Sequence, residues 1–261
     1  MHATERERLI LDLLQARGFI GFQELDQKVD ASPATIRRDL ERLAGEGRIE
    51  RVRGGARLAG PVETAAADRP HLRGVPFHEN IARHTAQKEA IGRAAAELCH
   101  PGEAVIIDGG STTLQMCRHL EPLELQVLTN SLHIVSALLP QPNTRIAIPG
   151  GSVFREQNIV LSAFEDDGVS RYHASKMFLG AEAVGRHGIL QSDILLVQAE
   201  RRLLSRADER ILLVDSSKFT ASAGHLVCGL DEIHVLITDD GVSPEHRRMC
   251  EDAGVRVIVA G

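Results

Sequence analysis

Ser32-Pro33-Ala34-Thr35-Ile36-Arg37-Arg38-Asp39-Leu40-Glu41-Arg42-Leu43 reads as a helix with a sharp start and two unlike faces. Ser32 suits the N-cap, and Pro33 suits the first turn, where its missing N–H costs nothing. At about 100° per residue, Ile36, Leu40 and Leu43 gather in one narrow stripe, while Ala34, Thr35, Arg38, Glu41 and Arg42 fall on the other side. Taken alone, the segment also suits an amphipathic surface helix with solvated charges. Its second face, small and polar and bearing arginine, has the size and donors to enter a major groove and read base edges and phosphates.

The flanking sequence favours the second reading. Residues 5–17 carry Leu9, Ile10, Leu13 and Leu14 at helical spacing and stop at Gly18; residues 22–29 give a shorter helix with Phe22, Leu25 and Val29 inward. Beyond Leu43 the run Gly45-Glu46-Gly47 breaks the helix. Residues 48–52 look like a strand, and Arg53-Gly54-Gly55-Ala56-Arg57 like a tight turn into a second one. Three short helices and a hairpin make a winged helix-turn-helix. The series Thr35-Ile36-Arg37-Arg38-Asp39-Leu40, then Leu43, Gly47, Arg51 and Gly54-Gly55-Ala56, resembles the DNA-binding signature of the DeoR family of bacterial transcriptional regulators. The family usually has His before the paired glycines where this chain has Arg53, which also suits a wing near phosphates or a minor groove. The expected DNA-contacting residues are Ser32, Ala34, Thr35, Arg37, Arg38, Arg42, Arg51 and Arg53.

Charge agrees once it is divided along the chain. The formal net charge is −6, yet residues 33–57 hold seven arginines against four acids, a net of +3, which leaves −9 for the rest. A basic module on an acidic body meets DNA through one face. At 261 residues and 43% hydrophobic, the chain can form one small and one medium domain. No run approaches the roughly 20 apolar residues of a membrane span, and the first residues lack a signal peptide's apolar core, so a cytoplasmic protein without membrane partner is expected. Cys99, Cys117, Cys228 and Cys250 are widely separated, and the 12 histidines form no ligand spacing. We expect reduced thiols, no metal and no cofactor.

Residues 59–87, with Pro61, Pro70 and Pro76, read as a linker between a DNA-binding domain (1–58) and a second domain (88–261). From residue 88 onward helices and strands alternate. A helix is expected over 88–99 and a strand at 104–107; a helix then runs from the hydroxyl-rich loop to residue 120. Further strands are expected at 126–128, 145–148, 177–179, 211–214, 233–238 and 255–259. Strands apolar on both faces and separated by helices argue a mostly parallel α/β sheet, in which ligands bind beyond the carboxyl ends of strands. Asp108-Gly109-Gly110-Ser111-Thr112-Thr113 places glycines, backbone donors and hydroxyls at one such end, a pattern suited to phosphate but also common for structural reasons. Thr129-Asn130, Gly150-Gly151 and Asp215-Ser216-Ser217-Lys218 end other strands.

These positions, with Lys176, Phe178-Leu179-Gly180-Ala181, Glu200 and Ile237-Thr238-Asp239, resemble the DeoR sensor domain, which is related in fold to ribose-phosphate isomerases and typically binds a phosphorylated sugar. The resemblance implies that Ser111, Thr112, Thr113 and Lys218 hold the phosphate, and that Asp108, Lys176 and Glu200 face sugar hydroxyls or order the pocket. Lys176 equally suits a pairing with an acid, and Glu200 an ion pair with Arg201, Arg202 or Lys218. The stretch around Arg155 and Gln191-Ser192-Asp193 is similar to regulators of rhamnose-type sugar catabolism, and Arg155 suits effector choice or a plain surface position. The implied function is a repressor of a carbohydrate catabolic operon, with a DNA operator, a sugar-phosphate effector and its own copies (dimer or tetramer) as partners. The alternative is an isomerase-like enzyme using Asp108, Lys218 and Glu200 as an acid/base set, and the helix-turn-helix speaks against it.

Overall fold

The structure is a computed structural model that describes residues 3–17, 19–29, 31–52, 55–58, 77–162 and 167–261. It divides into two compact units, Met1–Pro70 and His71–Gly261. The first contains helix α1 (Ala3–Arg17), strand β1 (Phe19–Gly21), α2 (Phe22–Lys28), α3 (Pro33–Gly45), β2 (Ile49–Val52) and β3 (Gly55–Leu58). Ile36, Leu40 and Leu43 of α3 pack with Ile10 and Leu14 of α1 and Leu25 of α2 in one small core. Strand β1, too short to be visible in the sequence, joins the hairpin and makes a three-stranded antiparallel sheet in the order β1-β3-β2.

The second unit opens with α4 (Phe77–Asn80), α5 (Thr85–Ala96), β4 (Ala104–Ile107), β5 (Gln126–Leu128), α6 (Leu132–Leu138), β6 (Arg145–Ala147), β7 (Ser152–Phe154) and β8 (Ile159–Leu161). It continues with β9 (Ala174–Leu179), β10 (Ala183–Gly185), β11 (Gly188–Gln191), α7 (Ile194–Leu204), β12 (Ala207–Leu213), β13 (His225–Cys228), β14 (Val235–Asp239), α8 (Pro244–Asp252) and β15 (Arg256–Ala260). Seven strands form a wholly parallel sheet, in the order β15-β14-β12-β9-β4-β5-β6. Successive side chains of a strand serve opposite faces. Val105, Ile107, Phe178, Ile211 and Leu213 therefore pack with Ile91, Met116 and Ile134 on one side. Ile106, Met177, Leu179 and Leu212 pack with Val197, Leu203 and Cys250 on the other. Strands buried on both faces are why the parallel order was legible as continuous apolar runs.

Three local findings differ from expectation. Of the stretch expected as linker, 59–76 lies outside the described residues, and 77–87 contains α4 and the start of α5, held down by the buried Phe77 and Lys88. The segment after the hydroxyl loop is a 3-10 helix, Thr113–His119, rather than an α-helix. Gly92 of α5 lies so close to Gln115 that a Cβ there would sit 2.7 Å from the Gln115 carbonyl carbon, and the tighter coil is what this gap admits. Finally, short antiparallel pairings, β7-β8 and β10-β11-β13, flank the parallel sheet.

Candidate functional site

In the first unit the free face of α3 is arranged by its own polar groups. Ser32 Oγ accepts from the Thr35 N–H at 3.3 Å and lies 2.8 Å from Thr35 Oγ1, so both side chains form the N-cap. Asp39, although charged, is buried, and takes two hydrogen bonds from Arg6, Nε–Oδ2 2.8 Å and Nη2–Oδ1 3.3 Å, which fasten α3 to α1. Arg42 pairs with Glu7 and lies 3.8 Å from Asp39; Arg51 donates to Glu41 at 3.0 Å; the Arg37 guanidinium stands 4.9 Å above the Phe22 ring. Of the arginines on α3, Arg38 is the one without a partner among the described residues. Exposed pairs of this kind contribute about 0–1 kcal/mol and exchange readily for phosphate, so Arg51 remains available. Arg53 lies outside the described residues.

In the second unit the parallel sheet runs one way through β4-β5-β6 and the other way through β9-β12-β14-β15. The winding reverses between the neighbours β4 and β9, and a crevice opens beyond their carboxyl ends. The cavity found there is lined by Asp108 to Thr112, Asn130, Glu182, Gln191, Glu200 and Lys218, and on its outer side by Phe77, Asn80 and Gln157. Sequence reading reached the first group except Glu182, and Gln157 through the stretch that begins at Arg155, and missed Phe77 and Asn80. Asn130 shapes the loop: its Oδ1 accepts from the Gly109 N–H at 3.0 Å and its Nδ2 donates to Asp108 Oδ1 at 3.1 Å. Gly109 is required here, because a Cβ would come within 2.8 Å of Ile159 Cγ2 and 3.3 Å of Asn130 Oδ1. The N–H groups of Gly110, Ser111 and Thr112 have no partner among the described residues and stand beside the cavity.

Other expected residues are not brought to this cavity. Thr113 Oγ1 donates to the carbonyls of Asp108 at 2.8 Å and Gly110 at 3.0 Å, and Thr129 Oγ1 accepts from the Ser131 N–H at 3.1 Å, so both hydroxyls shape backbone. Gly150 and Gly151 lead into β7, with Gly150 N–H on the Asp167 carbonyl at 2.9 Å, and Arg155 is exposed in the turn at the other end of that strand. Lys176 pairs with Glu103, which directly precedes β4, and this places both at the amino end of the sheet, opposite the cavity. The sequence shows that Lys176 belongs to a strand but not which end its neighbours bring into register.

Glu200 forms none of its expected ion pairs. Arg201 donates to the Val227 carbonyl at 2.6 Å and Arg202 to Asp167 at 2.7 Å, while Glu200 Oε1 accepts from Gln191 Nε2 at 2.5 Å. Its Oε2 is buried without a hydrogen-bond partner among the described residues. Burial, reinforced by Asp108 and Glu182, pushes the Glu200 carboxyl well above the usual range, and burial also raises Asp108 against the pull of Gly109 N–H and Asn130. Behind Lys218 lies Lys88, fully buried, whose Nζ donates to the Asn80 carbonyl at 2.5 Å and to Asn80 Oδ1 at 3.3 Å. Burial lowers Lys88 to about 8 despite the opposing carboxylate of Asp215, and Lys218 and Arg83 act in the same direction. A signal for Lys88 existed: it shares a helix face with Ile91 and Ala95, an apolar stripe in which a lysine is out of place.

Among the described residues no His/Cys/Asp/Glu group suits a metal, and no helix is long and apolar enough to cross a membrane. The four cysteines are buried, and burial raises their thiols.

Comparison with known proteins follows the same division. Residues 6–61 match the DeoR-like helix-turn-helix domain, and residues 83–240 match the DeoR C terminal sensor domain. The chain is 32% identical over 258 residues to proteins named HTH-type transcriptional regulator UlaR, from Shigella flexneri and from Escherichia coli K12, covering 99% of each chain. Ribose 5-phosphate isomerase A of Methanocaldococcus jannaschii is similar over 51% of this chain and 53% of its own, at 18% identity and a TM-score of 0.37. The relatives that span the whole chain are named as regulators, not enzymes. With a helix-turn-helix at one end and the matching sensor at the other, the chain belongs to the DeoR family of transcriptional regulators.

Proposed function

We propose that this regulator represses a carbohydrate catabolic operon in the cytoplasm, and that a phosphorylated sugar seated beyond β4 and β9 controls its grip on the operator. The observation that carries the reading is the convergence, on one cavity, of three backbone N–H groups without partners among the described residues (Gly110, Ser111, Thr112) and the Lys218 ammonium. A phosphate monoester is the group whose oxygens use all of them, and the contact to lysine is charge-assisted. On the DNA side, α3 lies in the major groove with Thr35, Ala34 and Arg38 towards bases, and Arg37, Arg42, Arg51 and Arg53 on phosphates. One winged module has a small footprint, so the acting form is a dimer or tetramer on repeated half-sites, a state that sedimentation of the intact protein tests. The domain division proposed is residues 1–58 for DNA and, because α4 and the start of α5 carry cavity residues, 77–261 for effector and assembly.

The effector changes operator affinity by binding one state better than the other. That coupling is typically about 1–3 kcal/mol and is equal in both directions. Operator titrations with and without phosphorylated sugars, run on the parent protein and on Lys218→Ala, test it. The variant is expected to bind operator normally and to lose the response. An unaltered response in Lys218→Ala takes this lysine out of the site.

A further inference from the structure

The cavity is electrically lopsided. Lys218 and the unpartnered N–H groups of Gly110, Ser111 and Thr112 supply positive potential, while Asp108, Glu182 and Glu200 contribute three carboxyl groups to the same lining. Glu182 Oε2 accepts from the Ser192 N–H at 2.9 Å and is held in place by it. Glu200 is 4% exposed and its Oε2 finds nothing to bond among the described residues, which is costly for a buried oxygen unless a ligand completes it.

We propose that the effector is a phosphate monoester whose other end is uncharged and rich in hydroxyl groups, with Glu200 Oε2 bonded to one hydroxyl and Glu182 and Asp108 turning away a second anion. The inference rests on the phosphate reading of the same cavity. A hydroxyl is the one common sugar substituent that fits Glu200 in either protonation state, since it donates to a carboxylate and accepts from a carboxylic acid. A carboxylate or second phosphate only accepts. Even where Glu200 holds a proton, an anion seated beside Asp108 and Glu182 would meet like charge where water screens little. Hydroxyl-bearing sugars with one phosphate therefore fit, whereas sugar bisphosphates and phosphorylated sugar acids do not.

Calorimetric titration of the intact protein is the test, with inorganic phosphate, neutral-ended monophosphates (glucose 6-phosphate, fructose 6-phosphate, fructose 1-phosphate, ribose 5-phosphate) and charged-ended counterparts (fructose 1,6-bisphosphate, 6-phosphogluconate). The expected result is that the tightest ligand is a neutral-ended monophosphate and that its charged counterpart binds at least about 10-fold more weakly, a difference of roughly 1.4 kcal/mol. The double variant Glu182→Gln, Glu200→Gln, checked for an intact fold by circular dichroism, should shrink that gap to a few-fold. A bisphosphate or sugar-acid phosphate that binds as tightly as its neutral-ended counterpart overturns the inference. If Lys218→Ala meanwhile weakens the whole series, the phosphate reading stands and only the selectivity falls. No binding by any member, inorganic phosphate included, overturns both.

Discussion

Arg38 and Asp39 are neighbours in the chain with opposite roles. Arg38 is exposed and unpaired among the described residues; Asp39 is buried under two hydrogen bonds from Arg6. Arg38→Ala should weaken operator binding by about 1–3 kcal/mol and relax base preference at one position while the fold stays intact, as fluorescence anisotropy with operator variants would show. Asp39→Ala should instead lower the unfolding midpoint of the winged unit, with DNA affinity lost only as a consequence. Lys88 carries a separate prediction. Its folded pKa of about 8 lies below the ordinary 10.5, so between these values the unfolded chain holds more protons than the folded one and stability rises with pH. Denaturant unfolding across that window should show the rise in the parent protein and a flatter profile in Lys88→Met.

Among elements, the contact between α5 and the 113–119 segment is the least forgiving. A methyl at Gly92 would press on the backbone of Gln115 at 2.7 Å, and neither side offers a flexible side chain to yield. Gly92→Ala should cost about 1–3 kcal/mol, read from the denaturant midpoint of the sensor. The same contact explains a limit of sequence reading. Helical spacing in residues 113–120 is visible, but whether the coil closes at three or four residues depends on a neighbour 20-odd positions away. The apolar carboxyl halves of β9 and β12 were legible because burial on both faces leaves a continuous signature, whereas their polar amino halves, 174–176 and 207–210, were not. Strands β7, β8, β10, β11 and β13 hold three or four residues each, too few for any period to show. The glycine-hydroxyl loop and Lys218 were legible because they follow strand ends. Phe77 and Asn80 were not, since tertiary folding alone carries them to the cavity; Glu182 follows the end of β9 as Lys218 follows β12, and was passed over.

At the scale of the whole molecule, charge is divided between the two functions, with +3 over residues 33–57, −2 over 1–32 and −7 over 58–261, so the effector domain does not compete for the phosphodiester backbone. The sensor sheet has a division of its own. Strands β4, β5 and β6 form one arm and β9, β12, β14 and β15 the other; within the sheet the arms are joined along the seam where Val105, Ile106 and Ile107 pair with Lys176, Met177 and Phe178, and the cores on either face pack across it. The loop after β4 and Gly180 to Glu182 after β9 line the same cavity, so an effector bound there, as proposed, is a clasp across that seam. Its binding energy is added to every fluctuation that parts the arms, and by mass action this reaches about 2.7 kcal/mol at a hundred times the dissociation constant. Hydrogen exchange should register it as a matched slowing in β4 and β9, roughly a hundredfold where exchange needs the seam to open, with the outer strands β6 and β15 unchanged where their own fraying sets the rate. Slowing confined to one arm would mean that the effector holds only one side of the seam, and that the sheet is sensed by half.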